Sequence, residues 1–166
     1  GNVMMSRGSV IPQFLKNKNN IKITDKRMTR FNIGLDQGVE FVLFCLTHSI
    51  GGEIFVPKLQ SYNILDLAEA ISPKAKKKIV GIRPGEKIHE EMITASDSFS
   101  CIDLGPYYAI LPSDGSGHER YDHASREYFN VDNGFAYNSG SNPEFLSVPQ
   151  LRDLIKQYVD PCFEPF

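Results

Sequence analysis

The stretch "GGEIFVPKLQSYNILDLAEAISPKAKKKIVGI", residues 51–82, decides the fold. Gly51-Gly52 opens it, and "EIFVP" is a compact apolar strand ended by Pro57. Asn63 is an N-cap for "ILDLAEAI", whose Ile64, Leu67, Ala68 and Ile71 recur at helical spacing on one face. Pro73 and the lysines close that helix, and "KIVGI" (78–82) is a second strand. Strands that alternate with helices predict an α/β fold. Working outward, Leu35, Val39, Val42, Leu43 and Leu46 predict a helix to about Ser49, with Cys45 in its core face. "IKITD" (21–25) predicts a short strand, and Ser9 caps a helix over Val10–Lys16 with Pro12 in its first turn. Downstream, "RPGEK" is a turn, "EKIHEEMI" (86–93) a short helix and "YYAILP" (107–112) a strand. Residues 113–128 read as a long polar surface loop. "SVPQLRDLIKQYV" (147–159) closes the chain as a helix capped by Ser147, with Leu151, Leu154, Ile155 and Tyr158 as its apolar stripe.

Composition narrows the function classes. The 166 residues suffice for one domain with a sizeable core, and 41% are apolar. The formal net charge of -2 gives no global pull toward nucleic acid or anionic lipid. The longest apolar run, "FVLFCL" (41–46), is far short of the roughly 18 residues a membrane helix needs. Cys45, Cys101 and Cys162 are odd in number and widely spaced, so the plain reading is a reduced, cytosolic chain without a disulfide framework or zinc site. No Gly-rich dinucleotide fingerprint is present.

Three segments carry chemistry. In "GIRPGEKIHEEM" (81–92), Arg83 and Glu86 flank a Pro-Gly turn. An arginine fork grips two phosphate oxygens, and a carboxylate three residues on can accept from a ribose diol. A surface turn with a local ion pair fits the same spacing. In "ITDKRMTRF" (23–31), Lys26, Arg27 and Arg30 sit beside Thr24 and Thr29, a grouping suited to a diphosphate or to a solvated basic edge. In "GNVMMSRGSVIP" (1–12), Asn2 can donate and accept, Gly1 and Gly8 admit a ligand close to the backbone, and Arg7 supplies charge. This stretch reads as a loop from the interior of a longer protein, and also as a flexible linker. "KAKKK" (74–78) is a solvated helix-to-strand turn, His89 and Glu90 are helix surface, and His118 and His123 lack metal-ligand spacing. No nucleophile–base pair is evident, so no catalytic residue is assigned.

These motifs, in this order and together with "YNSGSNPEFLSVPQLRDLI" (137–155), resemble the carboxy-terminal half of the inverting UDP-N-acetylglucosamine 4,6-dehydratases. Those are extended short-chain dehydrogenase/reductases that open the pseudaminic acid pathway. The resemblance covers nearly the whole chain and implies one substrate-binding region, residues 1–166, with a loosely matched, loop-rich part at 96–133. It implies that Asn2 contacts substrate and that Val10 and Thr24 border the uridine. Arg30 would bind the diphosphate, and Arg83 and Glu86 would hold diphosphate and ribose. Val3, Met4, Met5, Ser6 and Arg7 would lie against the nicotinamide of NADP. Implied too are a homo-oligomer and a three-step reaction. A hydride leaves C4 for NADP, water is lost across C5 and C6, and the hydride returns at C6 with inversion at C5.

Two departures stand out: Met5 occupies a family glycine, and Asn32 and Gly34 replace a usual Trp and Thr. The resemblance further implies that the NADP-binding Rossmann half, with its Tyr-x-x-x-Lys and Asp-Lys pairs, lies upstream. The fold expected here is then the substrate-binding part alone, inactive and of low stability by itself, with apolar faces exposed. Capsule-type UDP-sugar epimerases and dehydratases share the "SRGSVIP" and "GEK" turns. A non-catalytic nucleotide-sugar or protein-binding module is the third reading.

Overall fold

The computed structural model describes Val3, Met4, Ser6 and residues 8–166. In chain order the elements begin α1 (Val10–Lys16), β1 (Asn20–Ile23), β2 (Thr29–Asn32), α2 (Leu35–His48) and β3 (Ile54–Pro57). Next come β4 (Gln60–Asn63), α3 (Ile64–Ile71), β5 (Lys76–Ile79) and β6 (Glu91–Ile93). A 3-10 turn at Asp97–Ser100 leads to β7 (Cys101–Asp103), β8 (Tyr107–Ile110), α4 (Gly117–His123), β9 (Phe129–Asn130), β10 (Tyr137–Asn138) and α5 (Val148–Tyr158). They fall into two compact units. Unit 1 runs to Leu35 and takes in Leu59–Glu90 and Ser139–Phe166; unit 2 is Asp36–Lys58 with Glu91–Asn138.

In unit 1, α3 packs against α1 and α5. Leu67, Ala68 and Ile71 are fully buried at the helical spacing expected of them. The Asn63 side chain accepts from Leu65 N at 2.8 Å and starts α3. Helix α5 begins with a capping box, Ser147 with Gln150, and Pro149 in the first turn. Leu151 and Ile155 are its buried residues. Strands β1 and β5 pair in parallel and β2 and β4 antiparallel. Ile21 and Ile23 of β1 close the core from one side.

Three readings change in unit 1. Ser9 precedes α1, but its side chain makes no capping bond. Lys76–Lys78 form strand β5 and not a turn, because β1 pairs with this segment. As an edge strand it tolerates lysines, and Lys77 bonds Glu69 at 2.7 Å. "EKIHEEMI" is not helical. The segment at 88–90 is drawn against β2, and Ile93 pairs with Tyr137 inside unit 2.

Unit 2 holds an antiparallel sheet in the order β3-β8-β7-β9. Ile102, Ala109, Leu111 and Tyr121 form its core. Part of the expected loop at 113–128 is helix α4. Its first residue is Gly117, where a Cβ would sit 2.7 Å from Leu111 Cβ, so only glycine fits that close approach. Helix α2 has the expected bounds but the opposite orientation. Phe44 packs on Tyr107 (4.2 Å between centroids) and Phe55 (5.7 Å), so the aromatic side faces the sheet. Leu35, Val39, Val42, Leu43 and Leu46, the stripe that predicts the helix, stay exposed. Cys45 is only half-buried and does not join the core. Among the described residues no helix is long and apolar enough to cross a membrane.

Burial separates the two helices energetically. Leu67→Ala should cost about 2–5 kcal/mol in a urea titration followed by circular dichroism. Leu46→Lys, at a site 74% exposed, should change stability by less than about 0.5 kcal/mol in the same measurement.

Candidate functional site

A cleft of about 410 Å³ lies wholly within unit 1 and is lined by Val10, Thr24, Arg30, Arg83 and Glu86, with Gln13, Asn17 and Lys22 among the further lining residues. Five of the six residues expected to touch substrate therefore share one cleft. Asn2 is outside the described residues. The pairing of β1 with β5 brings Thr24 to Arg83 and Glu86, while Val10 comes from α1 and Arg30 from β2. The pairing continues beyond the strand ends, with Val80 N donating to Ile23 O at 2.9 Å and Gly81 N to Thr24 O at 3.1 Å. Thr24 is thereby set beside the turn that carries Arg83 and Glu86.

That turn is stapled by its own carboxylate. Gly85 has φ +80°, which only glycine adopts readily, and Glu86 N donates to Arg83 O at 3.1 Å. Glu86 Oε2 accepts from Arg83 N at 3.1 Å, and Thr24 Oγ1 donates to Glu86 Oε1 at 3.4 Å. Each oxygen keeps a lone pair, so Glu86 can still accept from a diol. The Arg83 guanidinium is exposed and has no side-chain partner among the described residues.

The basic cluster divides its labour. Arg27 is taken up by Asp25, with Nε 3.0 Å from Oδ1 and Nη2 2.8 Å from Oδ2. Arg30 reaches the cleft, while its Nη1 donates to Thr29 O at 2.7 Å and to Ile88 O at 3.0 Å. Its Nε lies 3.8 Å from Glu90 Oε1. Thr29 is buried behind it and shares hydrogen bonds with His89 Nδ1 (2.8 Å) and Ser139 Oγ (2.7 Å). Glu90 and His89, expected on a helix surface, instead meet Arg30 and Thr29 of β2 from a non-helical segment, with His89 still exposed. Burial and the Glu90 carboxylate push the Tyr62 phenol well above its ordinary value.

In the amino-terminal loop, Met4 N donates to Ile33 O at 3.0 Å and the Met4 side chain joins the core. Ser6 is exposed and Val3 half-buried, while Met5 and Arg7 lie outside the described residues. Reasoning on the sequence missed Gln13 of α1 and Asn17 just past its end, whose i, i+4 spacing could have flagged them.

Residues 1–112 match the polysaccharide biosynthesis protein family. The chain belongs to that family. The matched segment contains every residue lining the cleft. A UDP-N-acetylglucosamine 4,6-dehydratase (inverting) of Campylobacter jejuni serotype O:23/36 is 44% identical over 93% of this chain, in line with the resemblance of its motifs. A UDP-glucose 4-epimerase of Rickettsia canadensis is 42% identical over 69% of the chain. The crystal structure of Pen from Bacillus thuringiensis superposes over 95% of the chain with a TM-score of 0.77 and 31% identity. This supports the α/β fold of part of an extended short-chain dehydrogenase/reductase. The chain spans 49% of the Campylobacter relative, 36% of the Rickettsia relative and 48% of the Pen chain.

The Asp25–Arg27 pair offers a direct check on the loop beside the cleft. The side-chain hydrogen bond from Arg27 holds Asp25 down at about 2. A folded-state value below the unfolded one favours folding above the ordinary carboxylate range, and that contribution is lost as pH falls through about 2. An NMR pH titration should place the Asp25 midpoint there, and Arg27→Gln should return it toward 3.8.

Proposed function

We propose that the unit 1 cleft binds the nucleotide of UDP-N-acetylglucosamine, as the substrate wall of a C5-inverting 4,6-dehydratase that forms a UDP-4-keto-6-deoxy sugar for surface or flagellar glycan. One observation carries this: Val10, Thr24, Arg30, Arg83 and Glu86, drawn from three separate motifs, line a single cleft. Its volume lies within the roughly 300–1,000 Å³ of small-molecule sites. Arg83, exposed and unpartnered by other described side chains, is the fork for the diphosphate. Arg30 adds fixed positive charge from the wall. Glu86, held by Thr24 and by Arg83 N, presents acceptor lone pairs to the ribose diol. Val10 borders the uridine.

NADP, when bound, would supply reversible hydride exchange with the sugar. Val3, Met4, Met5, Ser6 and Arg7 are the residues proposed to meet it. Ser6 offers an exposed hydroxyl, and Met4, its side chain in the core, offers backbone alone. No residue of this chain is assigned proton or hydride transfer, so the chain by itself is expected to bind and orient but not to turn over. The reading includes a cytoplasmic parent enzyme that is a homo-oligomer, as the resemblance implies.

Identity to the Rickettsia epimerase favours a second reading, a 4-epimerase of UDP-hexoses. NMR of the product made by the complete enzyme separates them: a 4-keto-6-deoxy sugar supports the dehydratase, and a 4-hydroxy epimer sinks it. For the cleft itself, calorimetric titration with UDP-N-acetylglucosamine should show binding that Arg83→Ala weakens by about 1.5–3 kcal/mol. Unchanged affinity in that variant would remove Arg83 from the phosphate site.

A further inference from the structure

Granting the nucleotide-sugar reading on which it rests, we propose that Glu90 is a positioning residue that holds Arg30 with one nitrogen of its fork turned to the phosphates. The guanidinium has three nitrogens with different fates. Nη1 spends both protons on Thr29 O and Ile88 O, at 2.7 and 3.0 Å, and so clamps two backbone segments nearly sixty residues apart. Nε faces Glu90 Oε1 at 3.8 Å. That leaves Nη2, whose one contact among the described residues is the soft Met28 Sδ at 3.6 Å. Arg30 lines the cleft, and Nη2 is the part of its fork that a phosphate oxygen can claim.

Glu90 is itself fixed from several sides. Its Oε2 accepts from Phe31 N at 3.0 Å, which ties it to the residue after Arg30 on β2. Its backbone N donates to Ser139 Oγ at 2.9 Å, and Ser139 N donates back to Glu90 O at 2.8 Å. Ser139 is fully buried and its hydroxyl reaches Thr29 Oγ1 at 2.7 Å. On the other side Thr29 N donates to Ile88 O at 3.1 Å. The segment 88–90 is thus stitched to β2 before and after Arg30. Gly140 completes the fit, because a Cβ there would lie 2.5 Å from His89 Nδ1, the atom that meets Thr29. A guanidinium held this way is pre-oriented and loses little freedom when it meets an anion.

Titration of the chain with UDP and with uridine separates this role from a merely structural one. Glu90→Gln keeps the size but replaces one of the two acceptor oxygens with a donor. UDP affinity should fall about tenfold while uridine affinity stays unchanged, since only the phosphate contact is disturbed. Equal losses for both ligands, or no loss for either, overturn the proposal. Arg30→Lys should reproduce the phosphate-selective loss. Adding Glu90→Gln to it should change UDP affinity by less than about twofold, because the two act as one unit, and full additivity overturns the proposal. Should Glu90→Gln fail to fold, Ser139→Ala slackens the same segment and carries the same expected split between UDP and uridine. An unaltered chain that binds neither UDP nor UDP-N-acetylglucosamine overturns the nucleotide-sugar reading, and this proposal with it. Binding to the unaltered chain with an indifferent Glu90→Gln overturns the positioning role alone.

Discussion

The parallel pairing of β1 with β5 is the constraint on which the cleft depends. Ile21 and Ile23 are buried in the core of unit 1, so β1 has a single acceptable register. A shift by one residue would turn both isoleucines to solvent. Because the pairing runs on through Val80 and Gly81, the same register sets Thr24 against the turn at Arg83 and Glu86. Residues some sixty positions apart in the chain thus meet as a consequence of core burial. The ligand wall inherits its geometry from apolar packing.

Polar groups around the cleft are handled by a different economy. Arg30, Thr29, Glu90, Ser139 and His89 meet one another through hydrogen bonds and an ion pair, so charge and hydroxyls sit near the core with partners for most of their polar atoms. Arg83 has no such support and remains exposed. One arginine is held by backbone carbonyls and faces a carboxylate, and the other is exposed, with no side-chain partner among the described residues. That contrast matches the proposed division of roles, with Arg30 as a fixed charge in the wall and Arg83 as the fork that grips the diphosphate.

Local rules read well wherever the chain signals its own boundaries. Asn63 and Ser147 cap α3 and α5 because their side chains reach backbone N–H groups two and three residues on, a geometry written into the adjacent sequence. The same rules misread "EKIHEEMI", whose glutamate and histidine answer to Thr29, Phe31 and Ser139, all distant in sequence. "KAKKK" was legible as basic but not as a strand, since only β1 gives it a partner. In α2 the periodicity was correct, yet two stripes compete on that helix. The sheet took the aromatic one through Phe41, Phe44 and Tyr107 and left the aliphatic one bare.

By itself, the sequence determined the α/β alternation, the ends of most helices, the turn at Gly85 and the residue types able to grip a phosphorylated sugar, because these depend on neighbours within a few positions. Only the tertiary structure decided which of those residues share a cleft. It joined Thr24 to Glu86, sent Arg27 to Asp25, and fixed Arg30 between Thr29, Ile88 and Glu90. Those choices depend on strand register and on hydrogen bonds between distant segments, and no local spacing encodes them.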